Sequence, residues 1–182
     1  GLTLDMSSMK GISVDPKARI ARVQSGVCLG DIDHETQRFG LAVPTGINST
    51  TGIAGLALGG GYGWLSRSFG HTEASCWPVM RKAPPFPFLA PEHHGKPVII
   101  LPMIYVGDTA KGEAALTPLR SIAKPLADAV GPVPYAAWQA AFDPLLAPGA
   151  RNYWKSSDFT EMSDELIDTL VNAAEQLPSD EC

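Results

Sequence analysis

The segment from Thr45 to Gly70, TGINSTTGIAGLALGGGYGWLSRSFG, limits what this chain can fold into more than any other. It holds eight of the 18 glycines, at positions 46, 52, 55, 59, 60, 61, 63 and 70. So few Cβ atoms let a ligand or a second backbone approach closely. Successive amide N–H groups in such a run can cradle phosphate oxygens. Thr45, Asn48, Ser49, Thr50 and Thr51 set short, uncharged polar side chains beside those amides. Ile53, Ala54, Leu56, Ala57 and Leu58 would pack the run onto a core. Two familiar phosphate loops are excluded. Gly59 and Gly61 are followed by Trp64 where GxGxxG requires glycine, and no Gly-Lys-Ser/Thr is present. Chemistry alone leaves two readings: a phosphate-bearing ligand laid on the glycines, or close packing of small residues.

Upstream, Leu2, Leu4 and Met6 alternate with polar residues and predict a strand. Ile12–Val14 and Arg19–Gln24 predict a hairpin about the Asp15-Pro16-Lys17 turn. Leu29, Ile32, Thr36 and Phe39 share one face of a helix that Gly40 should stop. Asp31 and Asp33 read as a solvated first turn favoured by the helix dipole, and Cys28 as a small buried residue. Leu41–Pro44 reads as a short strand. Downstream, 71–96 is proline-rich and reads as a boundary or linker. Val98–Val106 predicts a strand buried on both faces. Helices are expected over Lys111–Ala123, over Tyr135–Leu146 with Trp138 and Phe142 in the core, and from Ser163 to about Pro178. Arg151–Phe159 reads as a strand.

With 182 residues, the chain suits one domain or two small ones sharing a core. Its apolar fraction of 45% argues against wholesale disorder. A net charge of −5, with no Lys/Arg cluster, argues against nucleic-acid or anionic-membrane binding. The longest apolar run, Pro97–Val106, is too short to span a bilayer. Three distant cysteines imply neither a disulfide framework nor a zinc site, and favour a reducing, cytoplasmic compartment. His71 with Cys76 lacks a third ligand, so no metal is expected. His34 and the His93-His94 pair read as surface.

The chain resembles the berberine-bridge-enzyme-like FAD-linked oxidases of the vanillyl-alcohol-oxidase (PCMH-type) superfamily, which includes 6-hydroxynicotine oxidase. The resemblance rests on LDMSSMKGISVD (4–15), ARVQSGVCLGDID (21–33), GLAVPTG (40–46) and TGIAGLALGGGYGWLSRSFG (51–70). In the second half it rests on GKPVIILPMIYVGD (95–108), PYAAWQAAFDPLL (134–146) and ARNYWKSSDFTEMSDELIDTLV (150–171). It implies an α+β fold: a partial FAD-binding domain over 1–70, an irregular junction over 71–83, and part of a sheet-plus-helices substrate domain over 84–182. It implies FAD, with the pyrophosphate against Thr45, Gly46, Asn48, Ser49, Thr50, Thr51, Gly52, Gly55, Gly59, Gly60, Gly61 and Gly63. It further implies hydride transfer from a small organic substrate to the flavin, with O2 as acceptor. The family's usual flavin-linking His lies upstream of position 1, and its second attachment Cys would fall near Asn48. After Gly70 the family continues into the rest of its FAD domain, whereas this chain passes through His71–Ala83 into substrate-domain sequence by about Pro84, so it reads as truncated and internally deleted.

On the substrate side, Tyr153 and Lys155 share one face if Asn-Tyr-Trp-Lys is a strand, and either could take a proton as hydride leaves. The bland alternative is an amphipathic strand with Trp154 in a core and Lys155 in water. Three functional expectations follow: an FAD-dependent oxidase, a non-catalytic remnant that no longer binds FAD, and a phosphate- or nucleotide-binding module using the glycine run alone.

Overall fold

A computed structural model describes residues 2–65, 73–146, 149 and 155–179. Gly70, His71, Tyr153 and Trp154 lie outside them. The architecture is α+β, with five helices and three small antiparallel sheets among the described residues.

The chain opens with a hairpin, β1 (Ile12–Asp15) against β2 (Ile20–Val23), pairing Ile12 with Val23 and Asp15 with Ile20. The Asp15 carboxylate accepts from the amides of Lys17 and Ala18 and so shapes the turn. Arg19 closes it in the left-handed region, at φ +54°. Residues 2–6 form no strand, and Leu2 is 99% exposed. Alternation alone found no neighbour there to pair with.

Helix α1 (Leu29–Gln37) begins where Asp31 accepts from the Cys28 amide. It ends two residues before Phe39, which stands 48% exposed. Gly40, at φ +66°, turns the chain away as expected. Val27, Leu29 and Ile32 are fully buried, with Ile12, Val23, Val43, Ile53 and Leu56 packed around them. Leu41–Pro44 is irregular and not a strand. Helix α2 (Ile53–Gly59) follows, capped by Gly60 at φ +72°.

The proline-rich stretch holds strands β3 (Ala74–Cys76) and β4 (Val79–Lys82), and its partners lie in the apolar run beyond it. There β5 (Pro97–Ile100) pairs with β4, and β6 (Met103–Tyr105) with β3. The offset that pairs Ala74 with Tyr105 also pairs Val79 with Ile100, so the four strands make one ribbon in one register. Pro78 and Pro102 interrupt the ladder because neither has an N–H to give. The Trp77 amide bridges the gap, donating to the Pro102 carbonyl at 3.1 Å. The single doubly buried strand expected over 98–106 is therefore two strands, and Ile99 is 62% exposed.

Helix α3 (Thr109–Arg120) starts on Asp108, whose carboxylate accepts from the Lys111 amide, and packs against β3 and β6. Gly112 is needed there. A Cβ at that position would come within 2.8 Å of the Tyr105 ring. Helix α4 (Tyr135–Ala140) packs on α1, and a 3-10 turn (Asp143–Leu146) follows it. Helix α5 (Asp164–Glu175) is capped by Ser163 as expected, yet none of its side chains is fully buried. Lys155–Phe159 forms no strand.

Candidate functional site

The glycine run divides into a held part and an open part. The held part begins at Thr45, which is buried, with its Oγ1 lacking a hydrogen-bond partner among the described residues. Gly46 sits between Leu29 and Leu56, where a Cβ would meet either side chain at 2.9 Å. Asn48 folds the next residues into a turn: its side-chain oxygen accepts from the Thr50 amide (2.9 Å) and hydroxyl (2.7 Å). The Thr51 amide donates to the Asn48 carbonyl.

This segment lies against the entry to α1. Gly30 N donates to Ser49 O at 2.8 Å, Leu29 N to Thr51 O at 2.9 Å, and Ile53 N to Val27 O at 3.0 Å. On its other side stands the α4 region. The Gln139 side-chain amide donates to the Gly46 carbonyl at 2.6 Å. The Asp143 carboxylate accepts from Ser49 twice, from the amide at 3.3 Å and from the hydroxyl. The amides of Ser49, Thr50, Thr51 and Ile53 are thus committed inside the protein.

Gly61 and Gly63 also belong to the held part. A Cβ on Gly61 would lie 2.1 Å from Leu56, and one on Gly63 would lie 1.8 Å from the Thr45 carbonyl. Beside them Trp64 is buried and meets Trp77, Trp138 and Phe142 at ring separations of 4.7, 5.2 and 5.0 Å.

The open part is Gly52, Gly55, Gly59 and Gly60. All four are exposed, and a Cβ on any of them would meet nothing within 4 Å. Spacings of three and four put Gly52, Gly55 and Gly59 on one side of α2. A backbone bare of side chains on one helical side is a surface that a flat or extended ligand can touch directly. The α2 side of residues 45–63 is thus open at four glycines, while Gly46, Gly61 and Gly63 are closely approached by Leu29, Leu56, Thr45 and Gly46.

These comparisons name the cofactor. Residues 1–79 match the family model described as FAD binding domain. The chain is 54% identical over 73 residues to an FAD-linked oxidoreductase of Dictyostelium discoideum, covering 40% of this chain and 16% of that protein. It is 41% identical over 70 residues to (R)-6-hydroxynicotine oxidase of Paenarthrobacter nicotinovorans, covering 38% and 15%. It is 45% identical over 73 residues to berberine bridge enzyme-like 3 of Arabidopsis thaliana, covering 38% and 13%. The cofactor these matches indicate is FAD. The chain matches about a sixth or less of the length of these relatives.

Of the two substrate-side candidates, Tyr153 lies outside the described residues, and Lys155 is exposed on an irregular segment. His34 is solvent-facing as expected. No group of three or more metal-ligating side chains occurs among the described residues, nor any helix long and apolar enough to cross a membrane. Sequence pattern did not single out Gln139 or Asp143, and it misplaced Asp33. Asp33 is fully buried and not solvated, which corrects the expectation for that first turn. Its signal was present: position 33 falls within the 29, 32, 36 stripe that faces the core.

Proposed function

We propose that this chain forms part of the FAD site of an FAD-linked oxidoreductase. The observation that supports it is the open side of α2, where Gly52, Gly55, Gly59 and Gly60 lie bare within the segment matched to the FAD binding domain. Thr45, Asn48, Ser49, Thr50 and Thr51 would line the approach, with Gly46, Gly61 and Gly63 setting the backbone path. When bound, FAD supplies the electron-accepting chemistry. The protein's part is to hold the nucleotide and exclude water from it. In the parent reaction a small organic substrate would give up hydride, with O2 as the final acceptor. Tyr153 or Lys155 would take the accompanying proton. Residues 84–182 would contribute part of the substrate domain. The free thiols of Cys28 and Cys76 suit a cytoplasmic setting.

A second reading is a non-catalytic remnant. It is favoured by the amides of Ser49, Thr50, Thr51 and Ile53, which are already donated within the protein. Titration of the purified 182-residue chain with FAD separates the two. Saturable quenching of flavin fluorescence, with a retained yellow absorbance band after gel filtration, is the expected result. Colourless protein that leaves added FAD unquenched would refute the oxidoreductase reading for this chain.

A further inference from the structure

We propose that Asp143 and Gln139 are positioning residues for the flavin nucleotide, acting through Ser49 and Gly46 to hold the 46–52 segment in its ligand-ready path. The inference rests on the FAD reading above. Five observations support it. Residues 46–52 belong to no helix or strand, and within the segment one backbone hydrogen bond, from the Thr51 amide to the Asn48 carbonyl, is made. One flank is fixed by the α1 entry through three backbone hydrogen bonds. The other flank is fixed by the Trp64 ring N–H, which donates to the Ile47 carbonyl at 3.4 Å, and, from more than 90 residues away in the second half of the chain, by the Gln139 amide and the Asp143 carboxylate. Gln139 is fully buried, and the Tyr135 hydroxyl donates to its side-chain oxygen at 3.4 Å. The Gln37 side chain also accepts from the Ala136 amide at 2.9 Å, so α4 is tied to α1 as well as to the glycine run.

The physical gain is preorganisation. Ordering a loose residue costs roughly 1–2 kcal/mol of backbone entropy, and a site ordered in advance does not meet that cost on binding. Asp143 does this with two bonds from one carboxylate to one residue, a charge-assisted pair that is stronger than neutral hydrogen bonds. It leaves the far side of the segment, toward Gly52 and Gly55, uncovered. Asp143 is thus a brace behind the binding face and touches no ligand itself.

The test uses the full chain and three probes: FAD, ADP and riboflavin. Wild-type binding of FAD is the control for the reading on which the inference rests; if wild type does not bind, that reading fails and the positioning role falls with it. Given wild-type binding, D143A should weaken FAD and ADP five- to twentyfold and leave riboflavin within twofold. D143N, which keeps an oxygen for the Ser49 amide, should recover most of the loss. In a cycle with S49A, the double variant should be no worse than D143A alone. Amide exchange at residues 47–52 should quicken in ligand-free D143A while far-UV circular dichroism is unchanged. Equal losses for all three probes, tighter FAD binding in D143A, or additive effects with S49A would each overturn the proposal. Tighter binding would mean that Asp143 competes with the ligand for Ser49.

Discussion

Among the described residues neither carboxylate oxygen of Asp33 has a hydrogen-bond partner, and neither meets solvent. Burial lifts its pKa from the ordinary 3.8 to about 7. The phenol of Tyr135, across the α1–α4 seam, is itself pushed up by burial and then by the charge of Asp33. Between about pH 4 and pH 7 the folded chain holds a proton that the unfolded chain has released. Stability from this group is therefore full below pH 4, falls as pH rises through that window, and levels off above about 7. At about 1.4 kcal/mol per unit, the fall has a ceiling of about 4 kcal/mol. D33N removes the titration. Urea unfolding at pH 4.5 and pH 8 should show the variant gaining 2–4 kcal/mol (~1.4 per unit) on wild type between the two conditions. Parallel pH profiles would show that Asp33 ionises freely in the folded state. The residue pattern of α1 contained this information, because a face is defined by every position on it, including the polar one. The absence of a partner for Asp33 depends on packing from α4, about a hundred residues later, and no local pattern reports that.

Among the elements, α2 and the turn after it hold glycines in two settings. Gly55 lies open, whereas Gly63, just past the helix, is pressed on the Thr45 carbonyl. G55A adds a methyl group to an exposed helical position and should raise stability by about 0.5–1 kcal/mol. The same methyl group would stand on the proposed ligand surface, so FAD affinity should fall even as the melting temperature rises. G63A forces the backbone apart and should cost at least 1–3 kcal/mol. Thermal melts and FAD titrations of the two variants check both signs. A G55A chain that binds FAD as wild type does would remove α2 from the binding surface. Composition made the glycine run legible as a place of close approach. It could not sort glycines that face open space from glycines pressed against Leu56 or Thr45. The β3–β6 and β4–β5 ribbon was half legible for a related reason. The apolar run after Pro97 announced strands, but their partners lay in a proline-rich stretch whose local signals favour loop. The hairpin and α5 were readable because turn and cap chemistry are local.

At the scale of the whole molecule, the described fold leaves much apolar surface uncovered. The chain exposes 12986 Å², where a compact protein of 19.3 kDa exposes about 8,500 Å². Among the described residues seven hydrophobic side chains are buried, while Leu58 stands 91% exposed, and Ile167, Leu170 and Val171 on α5 about 40%. Two clusters do most of the holding: Val27, Leu29 and Ile32 beneath the glycine run, and the Trp64–Trp77–Trp138–Phe142 group beside it. The α4 region ties these clusters together through Gln37, Gln139 and Asp143. Surface buried on folding sets both the steepness of denaturant unfolding and the apolar area left for a dye. The isolated chain should therefore bind anilinonaphthalene sulfonate at neutral pH and unfold in urea with a slope below that usual for its length. FAD in excess should reduce dye binding near Leu58 and Tyr62 and leave that at α5 in place, since the glycine side is the one it would cover. L58E and I167E report on the two regions separately: the first should lower the FAD-sensitive part of the dye signal, the second the FAD-insensitive part. A steep transition with no dye binding would show that these faces are covered in solution. Sedimentation would then decide whether a second copy covers them.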